Sequence, residues 1–127
     1  MGMHLTAWVT LASMVMYVWV FANVGAARKK FKVAPPSCEG PVEFQSVLRV
    51  QANTVEQMVL FYPALWMCAA FFSDMWAAIG GLIWVVGRVI YAVGYYQAPA
   101  KRSTGFLISS FGGAALMVCT IWGLIVR

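Results

Sequence analysis

Residues Leu5–Val24 form a run of twenty without a single charge, the length a helix needs to cross the hydrocarbon core of a bilayer. Three more runs follow. Phe44–Phe72 is amphipathic in its first half and purely apolar from Met58 on. Met75–Tyr96 is interrupted only by Arg88, and Thr104–Val126 carries no charge. Each is far longer than a barrel strand, so helices are the only structure that satisfies the backbone in lipid. The expected fold is an all-α integral membrane protein, a single domain over 1–127 with spans at about 5–24, 44–72, 75–96 and 104–126. Composition agrees: 62% of residues are hydrophobic and 10% charged, where a soluble domain carries about 25% charged residues. A soluble monomer, a disordered chain and a nucleic-acid module are excluded. The net charge of +5 reflects only 4 acids and clustered bases, not a broad basic face.

The connections are short or punctuated. The first, about 25–43, holds Arg28, Lys29, Lys30 and Lys32, then Pro35-Pro36 and Gly40-Pro41. The second is a tight Ser73-Asp74 turn, and the third, about 97–103, holds Pro99, Lys101 and Arg102. Tight antiparallel links imply an up-down-up-down bundle. With four spans, connections one and three share a side, and their basic residues assign it to the cytoplasm, with both termini opposite. Met1-Gly2-Met3-His4 offers no basic n-region and the first run is long for an h-region, so it reads as a retained span rather than a cleaved signal.

Three cysteines (Cys38, Cys68, Cys119) without CxxC spacing argue against a disulfide framework or a zinc site. The single histidine, His4, excludes histidine triads, paired haem ligation and most catalytic zinc sites. No metal is expected.

The informative residues are ionisable groups at membrane depth, where a charge costs roughly 3 kcal/mol or more and needs a partner or a purpose. At 100° per residue, Arg49, Asn53 and Glu56 share one stripe of span two, and Gln51 points nearly the opposite way. One reading is an intrahelical Arg49–Glu56 pair bridged by Asn53 that holds the bundle. The other is a zwitterionic ligand, its carboxylate forked by Arg49 and its ammonium taken by Glu56. Span three aligns Arg88, Tyr91 and Tyr95. The tyrosines read either as an interfacial aromatic belt or as part of a site, and Arg102 either as a cytoplasmic anchor or as a site cation. Gly80-Gly81, Gly87 and Gly112-Gly113 allow close helix contact.

The segment Val47-Leu48-Arg49-Val50-Gln51-Ala52-Asn53-Thr54-Val55-Glu56 resembles the Arg-x-x-x-Asn-x-x-Glu core of the MAPEG family, the membrane-associated proteins of eicosanoid and glutathione metabolism. Ala27-Arg28-Lys29 with Phe31, Pro35-Pro36, Gly40-Pro41 and Glu43-Phe44 resembles the family's first loop, and Arg88 through Tyr95 its third helix. Arg102 falls at the catalytic arginine of the family's glutathione-conjugating branch. The resemblance implies a homotrimer of four-helix subunits with glutathione, as co-substrate, bound between neighbours. Arg49, Asn53, Glu56, Tyr91 and Tyr95 would hold it from one subunit, Arg28 and Gln51 would reach in from the next, and Arg102 would face the thiol.

The expected activity is conjugation of the glutathione thiolate to a lipophilic electrophile drawn from membrane lipid, with reduction of lipid hydroperoxides as a second activity. Gln57 and Ile90 stand where the family's leukotriene-forming members have tyrosine and arginine, which argues against leukotriene synthesis. The alternative is a non-catalytic lipid-binding scaffold, a branch that lacks the arginine and glutamate pairing kept here as Arg49 and Glu56. A small four-helix exporter would need a buried carboxylate in span one, and none is present. The expected location is a bacterial inner membrane or the endoplasmic reticulum.

Overall fold

The computed structural model describes residues 2–127. Four helices run in sequence: α1 (His4–Phe31), α2 (Val42–Phe71), α3 (Asp74–Gln97) and α4 (Ser103–Ile125). A single 3-10 turn, Pro99–Arg102, joins α3 to α4. All four helices are long and apolar enough to cross a membrane. The starts of α1 and α3 lie together, because Asp74 bonds Thr6, and at the other end Asn23 bonds Tyr96. The topology is therefore up-down-up-down.

The chain is an integral, multi-pass membrane protein, and its surface shows why. Trp8, Val15, Val59, Leu107 and Ile125 are all more than half exposed. Water would penalise that much apolar surface, whereas lipid matches it. α3 is the central element. It packs against all three other helices, and the buried share of its spanning stretch is twice that of any of them.

Two glycine positions make the α3–α4 seam. A Cβ at Gly105 would collide with the Tyr91 amide, and one at Gly112 would lie 2.8 Å from the Gly80 carbonyl oxygen. Without side chains there, the backbones approach closely and van der Waals contact replaces the hydrophobic drive that lipid removes. The Phe61 and Trp84 rings stack at 3.8 Å and 6° to fill the space between α2 and α3.

The first connection departs from expectation. α1 continues through Arg28-Lys29-Lys30 to Phe31, about two turns past the apolar run that was read as span one. Alanine, arginine and lysine are strong helix formers, and a basic last turn suits the helix dipole. The helix stops where Lys32 turns left-handed (φ 57°) and its N–H closes on the Arg28 carbonyl. The basic cluster thus rides on a helix, not in a loop.

Candidate functional site

At the end of the bundle that carries the first and third connections, a cleft of about 670 Å³ opens between α2, α3 and α4. α2 supplies Arg49 and Asn53, α3 supplies Tyr91 and Tyr95, and the 3-10 turn supplies Arg102. α4 closes it with Ser103, Phe106 and Leu107. Its lining from α2, α3 and the turn is rich in hydrogen-bond donors and α4 adds apolar Phe106 and Leu107, so the cleft can hold a polar molecule beside a greasy one.

Local structure explains how these side chains converge. Arg49 and Asn53 are four residues apart on one helical face, as are Tyr91 and Tyr95. Tyr91 is buried, and it meets Tyr95 edge-on at 5.6 Å and Phe106 at 6.2 Å. Gly94 has no side chain where the Lys101 backbone passes, so the 3-10 turn tucks against α3. That brings the Arg102 guanidinium over the Tyr95 ring at 5.8 Å, with Nη1 donating to the Pro99 carbonyl at 2.7 Å. Arg102 directly precedes α4. It therefore sits in a short helical turn within the third connection, beside a helix N-terminus whose dipole favours an anion.

The Arg49–Glu56 pair exists, at 3.4 Å, with both side chains about half exposed. It spans nearly two turns of the same helix. Asn53 does not bridge it, and the structure corrects that expectation: its side-chain oxygen is taken instead by Arg88 Nη2 at 2.7 Å. The same nitrogen donates to Thr54 Oγ1 at 3.0 Å. Arg88 is fully buried, with its guanidinium 4.2 Å from the centre of the Tyr91 ring.

Five of the eight residues expected at a site therefore line one cleft: Arg49, Asn53, Tyr91, Tyr95 and Arg102. Glu56 reaches it only through Arg49. Arg28 and Gln51 lie elsewhere in the same chain. Arg28 donates to the Ser37 carbonyl at 2.7 Å and lies over the Phe44 ring. Gln51 donates to the Tyr17 hydroxyl at 2.9 Å, on the α1 side of α2. The opposite pointing of Gln51 and Arg49 is thus as helical spacing requires.

Sequence reasoning missed four residues, three at the site and one that closes the far end of the bundle. Thr54 holds Arg88, and nothing marks one threonine in an apolar helix. Phe106 and Leu107 form the apolar wall, and their position one turn after Arg102 could have flagged them. Asp74, read only as part of a turn, accepts from Thr6 Oγ1 at 2.6 Å, Thr6 N at 2.9 Å and Leu5 N at 3.1 Å. It caps α1, which has no side-chain cap of its own.

A second, smaller cleft of about 200 Å³ lies between α2 and α4, lined by Leu60, Phe61, Trp84 and Met117 with Gln57 at one edge. It is mostly apolar.

Comparison with known proteins matches the chain to one family. The human protein Microsomal glutathione S-transferase 2 is 40% identical over 105 residues, covering 83% of this chain and 71% of that one. Mouse Leukotriene C4 synthase is 34% identical over 123 residues, covering 97% and 82%. An uncharacterised protein of Synechocystis is 44% identical over 112 residues, covering 88% and 82%. The MAPEG family model matches residues 6–122, from the first turns of α1 to the last turn of α4, and the chain belongs to the MAPEG family.

Proposed function

We propose that this protein is a membrane-bound glutathione transferase that joins the glutathione thiolate to lipophilic electrophiles. The observation that carries the reading is the cleft itself. It gathers Arg49, Asn53, Tyr91, Tyr95 and Arg102 at the membrane edge, against an apolar wall of Phe106 and Leu107. The names of two relatives, a glutathione S-transferase and a leukotriene C4 synthase, support the class of chemistry.

The donor set suits glutathione, which carries two carboxylates. Arg49 forks one of them, and Asn53, Tyr91 and Tyr95 line the polar wall. Glu56, already on Arg49, takes the ammonium. In a homotrimer, Arg28 and Gln51 of the partner subunit complete the site. Neither lines the cleft of its own chain, and in this reading each keeps part of its hydrogen-bonding capacity for the neighbour beyond its bond to Ser37 or Tyr17.

Arg102 sets the reactivity. The thiolate, not the thiol, is the nucleophile, and a free thiol with pKa near 8.5 is only a few per cent ionised at pH 7. A guanidinium beside the sulfur favours the anion. The thiol proton leaves to solvent, the sulfur lone pair forms the new C–S bond, and the electrophile's leaving group departs with its electron pair. With a lipid hydroperoxide the same thiolate attacks oxygen. The O–O bond breaks, and a second glutathione converts the sulfenic acid to disulfide, so that hydroperoxide plus two thiols gives alcohol, disulfide and water. The electrophile arrives from lipid along the apolar wall. Gln57 and Ile90 weigh against leukotriene-type substrates. The basic cluster on α1 and the third connection face the cytoplasm, of a bacterial inner membrane or the endoplasmic reticulum.

The test is an ultraviolet difference spectrum on adding glutathione to detergent-purified protein at neutral pH. A thiolate band together with turnover of an aryl halide supports the enzyme. Binding without either leaves the chain a lipid-binding scaffold.

A further inference from the structure

We infer that Arg88 is a positioning residue that locks the Asn53 side-chain amide with its NH2 group toward the cleft, so that Asn53 presents a hydrogen-bond donor there and no acceptor. The inference rests on the glutathione reading for the identity of the ligand, not for the lock.

Direction follows from chemistry. A guanidinium has five donors and no acceptor. The Asn53 atom 2.7 Å from Arg88 Nη2 must therefore be the carbonyl oxygen. Rotating the amide by half a turn would set NH2 against a guanidinium N–H in a buried place, where both would lose their partners. The neighbouring bonds run the same way. Nη2 also donates to Thr54 Oγ1 at 3.0 Å, and the Thr54 hydroxyl spends its own proton on the Val50 carbonyl at 2.7 Å. Every hydrogen in the chain is thus assigned, and the Asn53 NH2 is left on the side of the residue that lines the cleft.

The alternative is that Arg88 only ties α3 to α2. Two facts speak against it. No carboxylate pairs with Arg88 among the described residues, and its Nε and Nη1 are buried without a partner. A guanidinium at membrane depth is an expensive way to join two helices, and an apolar side chain of similar volume would join them more cheaply. What an arginine provides here is a donor-only group that fixes which end of an amide faces outward. With the Arg49 and Arg102 guanidinium groups on the same cleft, the locked amide selects an acceptor-rich, anionic partner.

Two measurements test this. In the ligand-free trimer or monomer, the asparagine side-chain NH2 resonances are recorded with selective 15N labelling, and Asn53 is assigned by its loss in Asn53→Gln. The lock predicts two well-separated, slowly exchanging Asn53 protons that collapse toward the exposed-amide pattern in Arg88→Gln, whose amide has both a donor and an acceptor and so no longer fixes the direction. An unchanged Asn53 signal in folded Arg88→Gln overturns the proposal, whatever glutathione does. Glutathione affinity is then measured in wild type, Asn53→Ala, Asn53→Asp, Arg88→Gln and the double variant Asn53→Ala/Arg88→Gln. Asn53→Asp keeps an acceptor for Arg88 and gains an ion pair with it, but has no donor for the cleft. It should retain or raise the thermal midpoint while losing at least tenfold in affinity. Arg88→Gln should lose several-fold alone and almost nothing in the Asn53→Ala background, because it acts through Asn53. Full affinity in Asn53→Asp, or additive losses in the double variant, overturns the proposal. If wild type fails to bind glutathione while the Asn53 signal still depends on Arg88, the lock stands and the glutathione reading falls.

Discussion

The two ends of the bundle treat polar groups differently. At the Asp74 end, one carboxylate meets one hydroxyl and two backbone amides, and the donors at the start of α1 find an acceptor across the interface. At the other end, Arg88 keeps two idle donor nitrogens, Asn53 lines an open cleft, and Arg49 and Arg102 stand half-committed to neighbours. Both ends face the same problem of polarity beside lipid. One resolves it internally and the other leaves capacity for something that binds. Satisfaction, more than polarity, separates a structural cluster from a candidate site in a membrane helix bundle.

The largest effect expected from breaking the cleft end comes from Arg102. Arg102→Ala should keep most glutathione affinity while aryl halide conjugation at pH 7 falls on the order of 10²-fold, the usual size for losing one electrostatic stabiliser. About thirtyfold of that is ionisation alone, if the bound thiol returns to a pKa near 8.5. The sign fixes the pH dependence. Because the guanidinium favours the anion, the ionisation part of its loss matters below the free thiol's pKa, and the gap between variant and wild type should narrow to about threefold as pH rises past 8.5. Arg102→Lys should rescue only in part, since a lysine lacks the planar fork. Equal turnover of Arg102→Ala and wild type at pH 7 would make the residue a topology anchor.

Arg49 comes next. Arg49→Ala should weaken glutathione binding at least tenfold by titration calorimetry, and Glu56→Ala similarly, since each removes one pole of the clamp. The pair itself is half exposed, so its contribution to stability is small. The variants should fold, and wild-type affinity in a well-folded Arg49→Ala protein would return the pair to a purely structural role. Assembly is tested by native mass spectrometry in mild detergent, where a trimer is expected. Only monomers there would remove Arg28 and Gln51 from the site.

Much of this end was legible in the sequence because helices repeat. Once Phe44–Phe72 is a helix, the spacing of Arg49, Asn53 and Glu56 places them on one face and Gln51 on another, and the resemblance in the same segment assigns them a ligand. What the sequence hid was which side chains meet across helices. Nothing along the chain says that Arg88 reaches Asn53 rather than solvent, or that the Asn53 carbonyl is already taken. Nor does it say that Asp74, beside an unremarkable serine, closes the start of a helix 68 residues away. The extent of α1 was hidden for another reason. Hydropathy marks where lipid ends, and the α1 backbone, rich in good helix formers, continues beyond it.

The Asp74 end should break in the opposite manner. Asp74→Ala leaves the first amides of α1 and the Thr6 hydroxyl without their acceptor, so the thermal midpoint in detergent should drop. Glutathione affinity and the thiolate signal should hold at a temperature where the variant is folded. A loss of affinity without a loss of stability would mean that the two ends are coupled through α3, and the contrast between them would fail.

The smallest effect lies midway between the ends, where Ser13 Oγ and the Tyr62 hydroxyl meet at 2.7 Å across α1 and α2. Ser13 has a second partner, donating to the Thr10 carbonyl at 2.6 Å. The Ser13 proton is therefore spent, and Tyr62 is the donor between the two hydroxyls. Tyr62→Phe removes that donor and keeps the ring, which packs against Phe61 at 5.4 Å. Ser13 retains its backbone bond, so no buried donor is stranded. Side-chain hydrogen bonds between membrane helices average about 0.6 kcal/mol, because the unfolded chain in the bilayer also finds partners. Tyr62→Phe should thus cost about that much in a reversible denaturation measurement, with glutathione affinity and turnover unchanged. A loss several times larger would show that a satisfied hydroxyl pair in mid-membrane carries as much weight as the capped helix end, and structural polarity in this bundle would then not be confined to its ends.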